Sequence, residues 1–165
     1  MKKHWGLFLV FKAGWFGLVL APNYAIWPVL LVLVWQLTQM VGSNRIRWLA
    51  LSIVGMSLDT VLIAMGYLQT ASAEPLPAWL AVLWAWFIWA WLQLFSPLLP
   101  RAWQVLAFCG IGGPLAYRGG ALLSDQLIYP DDWQFALIHS ICWLGLGALM
   151  VVWRRRAHEQ NYTTA

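Results

Sequence analysis

Five residues combine an ionic or acid-base side chain with strongly apolar surroundings: Lys12, Asp59, Tyr117, Arg118 and His139. A lysine, arginine or aspartate that faced lipid near the middle of a membrane span would cost at least ~2.5 kcal/mol. Each charge is therefore expected to point inward, at a partner, a cavity or water. Counted at ~1.5 Å of rise per residue, Asp59 lies about midway along its segment. Arg118 lies somewhat nearer the far surface, His139 falls between the two, and Lys12 sits on the near side. The most economical arrangement pairs Asp59 with Arg118, with Tyr117 and His139 in reach. Lys12 is the alternative partner of Asp59. Three chemistries are open: a buried ion pair that fixes helix register, a pocket in which Arg118 binds a lipid phosphate or carboxylate, and a proton relay through Asp59 and His139.

The backbone around Tyr117 and Arg118 is rich in small residues. At helical spacing Gly110, Gly113, Tyr117, Gly120 and Ser124 share one face. Gly112, Ala116 and Gly120 recur at the interval that lets helices approach closely. Pro114 removes one backbone hydrogen bond and is expected to kink the helix. Gly55 lies one turn before Asp59, on a face shared with Ser52 and Gly66, and marks a second close approach.

Motifs for catalysis by this chain alone are missing. There is no His-Glu-x-x-His, no Gly-x-Ser-x-Gly and no phosphate-cradling Gly-x-x-x-x-Gly-Lys. Only His139 of the three histidines falls in a span, His4 and His158 lying outside, which leaves too few ligands for a bis-histidine haem. Paired membrane carboxylates of the di-iron type are absent too. Cys109 and Cys142 sit in apolar runs and read as packing residues rather than a disulfide or zinc pair. No catalytic residue, metal or cofactor is assigned.

The elements that must position these residues are membrane helices. A chain of 165 residues with 62% apolar composition, 10% charged residues and 14 tryptophans lies outside the soluble globular class. Apolar runs cover residues 5–20, 24–41, 46–68, 78–95, 102–123 and 133–153, which gives an all-α polytopic protein, a bundle of six transmembrane helices. Residues 1–153 form one domain and residues 154–165 a polar, frayed cytoplasmic tail. Lys2, Lys3, Arg45, Arg47, Arg101 and Arg154 to Arg156 fall on one side of this bundle, and Glu74, Asp125, Asp131 and Asp132 on the other. That segregation places both termini in the cytoplasm and excludes a nucleic-acid partner, because the net charge of +4 is scattered over short topogenic segments. Trp5, Trp27, Trp48, Trp79, Trp103, Trp133 and Trp153 fit an interfacial belt. Trp84, Trp86, Trp89 and Trp91 are too many for one, and fit either aromatic packing or a flat apolar ligand.

Several stretches are similar to a bacterial inner-membrane family, domain of unknown function 2878. They are Gly14-Trp15-Phe16, Gly55 to Asp59, Leu83-Trp84 to Phe87, and Gly112 to Tyr117 with Gly119. The resemblance covers most of the chain and implies the inner membrane. Family genes often lie near those for cyclopropane-type lipid methyltransferases and flavin oxidoreductases, which implies a role in membrane-lipid modification or envelope stress. Where the family tends to carry Asn-His-Ser, this chain has Leu92-Gln93-Leu94. The expected function is that of a non-catalytic accessory or lipid-binding component, with the bilayer, an anionic lipid-like ligand and a membrane protein as partners. The alternatives are a small transporter or channel subunit using Asp59 and Arg118, and a membrane enzyme using Asp59 or His139.

Overall fold

Tryptophan decides the centre of this fold. The computed structural model describes residues 2–130 and 132–163, with side chains for 4–130 and 132–156; Asp131 and the side chains of Lys2, Lys3 and His158 lie outside the described residues. Six long helices follow one another: α1 (Lys2–Leu20), α2 (Pro22–Gln39), α3 (Gly42–Ala64), α4 (Ala78–Leu98), α5 (Ala102–Leu123) and α6 (Trp133–Thr163). Five tryptophans of α4, at positions 79, 84, 86, 89 and 91, are each no more than 7% exposed. Trp84, Ile88 and Trp91 join α3, α5 and α6 in one apolar cluster, and Ala85, Trp86 and Trp89 join α1 and α2 in another. The helix with the most indoles is thus the one surrounded by the others. Trp79 and Trp48, both expected in the interfacial belt, point into the protein instead, Trp79 in the cluster of Trp84 and Trp48 donating its indole N–H to Ala85 O at 2.9 Å. Trp5, Trp27, Trp103 and Trp133, by contrast, are all more than 60% exposed, as an interfacial belt requires.

Glycines make room for these rings. A Cβ on Gly14 would collide with the indole of Trp86, one on Gly55 with Trp84, and one on Gly113 with Trp143. Gly110 is pressed in the same way by Leu144. Each large ring therefore lies across bare backbone, which brings α4 onto α1 and α3, and α6 onto α5. Gly112 differs, since a Cβ there would meet only Phe108, at 4.0 Å. Gly120 is nearly as open, with its closest neighbours at 3.9 Å. Helices α5 and α6 pack against each other along their length, and α1 meets α5 at only a few points.

The two ends differ as the charges suggested. At one end β1 (Gln69–Thr70) pairs antiparallel with β2 (Leu127–Ile128), Gln69 opposite Ile128, which ties the two loops that carry Glu74, Asp125 and Asp132. Gly66, at φ +75°, closes α3 just before β1. The Tyr67 N–H reaches Leu62 O and the Gly66 N–H reaches Ile63 O, satisfying carbonyls the helix end would leave open. At the other end Arg154 donates to Leu99 O at 2.6 Å and to Pro100 O at 2.9 Å. Those bonds anchor the last turns of the spanning part of α6. The helix then continues to Thr163, so the stretch expected to fray is helical as far as it is described.

The chain is all-α apart from that two-residue pairing. Three helices, Gly42–Ala64, Ala78–Leu98 and the Trp133–Arg156 part of α6, are long and apolar enough to cross a membrane, and His4–Leu20 is a shorter apolar helix. The expectation of six qualifying spans is reduced to three on this criterion. Asn23, Gln36 and Gln39 dilute α2, while Gln104, the glycines, Tyr117 and Arg118 dilute α5. Pro114 stands inside an uninterrupted α5. In α4 the Trp91–Phe95 turn is π-helical, the Ser96 N–H reaching back to Trp91 O, directly before Pro97, which has no N–H to offer.

Substituting alanine at Gly55 or Gly113 is expected to destabilise the protein by about 1–3 kcal/mol, because an indole must move. Alanine at Gly112 is expected to leave stability unchanged or slightly raised. Thermal unfolding of the three variants in one detergent checks the contrast.

Candidate functional site

Asp59 is fully buried in the last third of α3. Its Oδ2 accepts a hydrogen bond from the Tyr117 hydroxyl at 2.5 Å and another from the Trp84 indole N–H at 2.6 Å. Both distances fall in or below the range expected for hydrogen bonds to a carboxylate. The sequence prepares this locally. Gly55, one turn before Asp59, lets the Trp84 ring lie on α3 so that its N–H reaches the carboxylate. Gly113, one turn before Tyr117, lets the Trp143 ring lie on α5. Trp84 and Trp143 then stack, with centroids 5.1 Å apart and planes at 24°. Asp59 Oδ1 and the Ser52 hydroxyl are buried without a hydrogen-bond partner.

His139 is also fully buried. Its Nε2 lies 3.1 Å from the indole nitrogen of Trp143, which can only donate, so Nε2 accepts and the ring proton belongs on Nδ1. Nδ1 faces the Tyr129 hydroxyl at 3.4 Å. The Tyr117 ring meets His139 edge to face, with centroids 4.6 Å apart. Asp59, Tyr117 and His139 are thus brought together as expected, with Trp84 and Trp143 as two members that charge-based reasoning passed over. Among the described residues no hydrogen bond joins Asp59 to His139.

Arg118 is elsewhere. It follows Tyr117 on α5, so it projects about 100° around the helix from the buried face and is exposed, beside Ser124, Asp125 and Tyr129 in a shallow depression at the acidic end. Burial raises the Tyr129 phenol above its usual pKa and the nearby Arg118 charge partly offsets that rise. The expected Asp59–Arg118 pair is replaced by neutral donors: a hydroxyl and an indole hold the carboxylate where a guanidinium was anticipated.

Lys12 does not reach Asp59 either. It is half-buried on α1, its ammonium 5.4 Å from the centre of the Trp15 ring and 5.9 Å from that of Phe8. Among the described residues it forms no ion pair. Contacts of that kind contribute about 0.5–2 kcal/mol, less than the ~2.5 kcal/mol or more that a lysine costs inside the apolar layer.

Lys12 lines a cavity of about 520 Å³. Its floor is α4, through Trp79, Leu80, Leu83, Trp84 and Phe87. One wall is the Phe8, Phe11, Lys12, Trp15, Phe16 and Val19 face of α1, and the other is α5, where Gly112, Ala116 and Gly120 leave space. The small-residue repeat of α5 was expected to admit a neighbouring helix; it opens a hollow instead, since Gly112 has almost nothing against it. Gly110 and Gly113, on the adjacent face, do provide the close approach. The lining residues Phe16, Leu115 and Leu123 are 42%, 61% and 50% exposed, so the cavity opens sideways between α1 and α5, through an apolar mouth. Tyr117 and Trp84 line its inner side, which places the Asp59 cluster directly behind the wall. No set of three or more His, Cys, Asp or Glu side chains among the described residues is arranged to hold a metal ion.

Residues 4–149 match the model of a family described as "Protein of unknown function (DUF2878)". No curated protein and no solved structure matches the chain.

Tyr117→Phe leaves Asp59 with one donor and is expected to destabilise the protein by about 1–3 kcal/mol, the cost of an unmet buried hydrogen bond. Arg118→Gln is expected to lower stability by less. Melting temperatures of the two variants give the comparison, and a Tyr117→Phe protein as stable as wild type would contradict the hydroxyl's part in holding Asp59.

Proposed function

The chain belongs to the DUF2878 family, and we propose that it is a six-span inner-membrane protein that holds a lipid-like ligand in the lateral cavity between α1, α4 and α5, as a non-catalytic component of membrane-lipid modification or the envelope stress response. The observation that carries the reading is the cavity itself. Its volume lies within the ~300–1,000 Å³ of small-molecule sites, its walls are almost wholly apolar and aromatic, and its mouth is framed by exposed apolar side chains rather than by a water-facing loop. A ligand that enters from the hydrocarbon layer needs no aqueous route. The aromatic floor that α4 presents suits an alkyl, isoprenoid or flat ring system.

The six-span arrangement is supported by the ends of the molecule. The β1–β2 pair holds two acidic loops together, and Arg154 binds the turn that precedes Arg101. With helices running alternately between these ends, the basic end is cytoplasmic by its arginine content and holds both termini. Helices α2 and α5, too polar by mean hydropathy to qualify alone, are carried by their neighbours, α5 turning Gly113 and Tyr117 inward. Transport along Asp59 and Arg118 has less support, because Asp59 is sealed and Arg118 lies on a different face.

Wild-type protein purified in mild detergent is expected to carry a lipid-soluble molecule, detectable by mass spectrometry after solvent extraction, that Gly112→Leu loses. The leucine narrows the cavity from its α5 side, where Gly112 now leaves space. The same extracted species at the same stoichiometry in both proteins would rule the cavity out as the binding site.

A further inference from the structure

We infer that the cavity selects an amphiphile with an apolar chain and an anionic head, and that Lys12 binds that head; this rests on the ligand-binding reading above. Among the described residues, Lys12 is the only charged side chain lining the cavity. Its ammonium is held by the faces of Trp15 and Phe8 and forms no ion pair among the described residues. An ammonium has three hydrogens to donate and no lone pair to accept. Aromatic faces satisfy its charge in part and its hydrogen-bonding capacity hardly at all. Of the other polar groups on the wall, the Tyr117 hydroxyl and the Trp84 indole donate to Asp59, the Trp143 indole donates to His139, and the Trp15 and Trp79 indoles, like the ammonium, can only donate. What the wall calls for is therefore an acceptor, and beside the Lys12 charge an anionic one.

The shape sets the rest of the molecule. The lining face of α1 runs from Phe8 to Val19, about 16 Å at the rise of an α-helix, and that of α5 runs further, from Phe108 to Leu123, about 22 Å. That is a slot extended along the helices, open along one side. Lys12 stands about a third of the way from its Phe8 end. A chain lying from Lys12 toward Val19 and Leu127 meets Leu83, Leu80 and Ala116 on the way, all without charge. Oxygen atoms of the head displace the rings from the ammonium, or bind in addition to them.

The test uses the full chain in nanodiscs of zwitterionic phosphatidylcholine and measures binding of oleate, oleyl alcohol and acetate. Wild type is expected to bind oleate about tenfold or more tightly than oleyl alcohol, the difference a charge-assisted contact makes, and acetate is expected neither to bind nor to displace oleate. Lys12→Met is expected to remove the preference while still binding both chains, and Lys12→Arg to keep it. Equal binding of oleate and oleyl alcohol by wild type, or an undiminished preference in Lys12→Met, overturns the assignment of Lys12 while leaving the cavity reading intact. Displacement of oleate by acetate alone overturns the amphiphile in favour of a free-anion site. Failure of either chain to bind, with Gly112→Leu indistinguishable from wild type, overturns the cavity reading and this inference together.

Discussion

A carboxylate in the apolar interior must be given hydrogen bonds, and the arrangement that gives them to Asp59 organises most of this protein. Tyr117 supplies one from α5 and Trp84 another from α4, so one side chain of α3 fixes the mutual register of three helices. The donors are themselves positioned by what lies under them. Trp84 can reach only because Gly55 is bare, and Trp143, stacked on Trp84, can lie where it does only because Gly113 is bare. From Trp143 the hydrogen bonding continues to His139. Polar groups and aromatic rings here form one assembly, in which the rings carry the donors.

The cavity is a consequence of the same packing. Trp84, Tyr117 and Trp143 are drawn toward Asp59 and His139, and their other sides become its inner wall. Small residues at Gly112, Ala116 and Gly120 then leave the space between α5 and α1 unfilled. Two glycine faces on one helix thus do opposite things: Gly110 and Gly113 receive large side chains, while Gly112 receives nothing. The wall is held from behind by the Asp59 hydrogen bonds, a preorganisation that would lower the ordering cost of binding the proposed ligand.

Much of this was legible in the residues themselves. The apolar runs predicted the six helices closely, and the separation of acidic from basic loops predicted which loops share an end. The cost of exposing charge to lipid predicted the inward Asp59, with Tyr117 and His139 beside it by depth, but it predicted an inward Arg118 as well, which the structure exposes. Pairing did not follow, because opposite charge is the obvious partner on paper and a tryptophan N–H is easily counted as apolar. The spacing held a usable signal: a glycine four residues before Asp59, another four before Tyr117, and a tryptophan four after His139. Depth along a helix also says nothing about rotation around it. Tyr117 and Arg118 are neighbours in sequence, yet one is buried and the other exposed. The cavity left no signature beyond a small-residue repeat, since the same repeat serves close packing equally well. Lys12 was visible as a misplaced charge, and only the fold assigns it to a cavity wall.

A lipid-like molecule in the space between α1, α4 and α5, as proposed, is open to photo-crosslinking: protein in native membranes is labelled with a fatty acid carrying a diazirine in its chain, and the adducts are mapped by peptide mass spectrometry. Adducts are expected to concentrate on Leu83, Phe87, Gly112 and Ala116. Adducts confined to outward-facing positions such as Leu31, Val34 and Ile141, with none on those four, would contradict it.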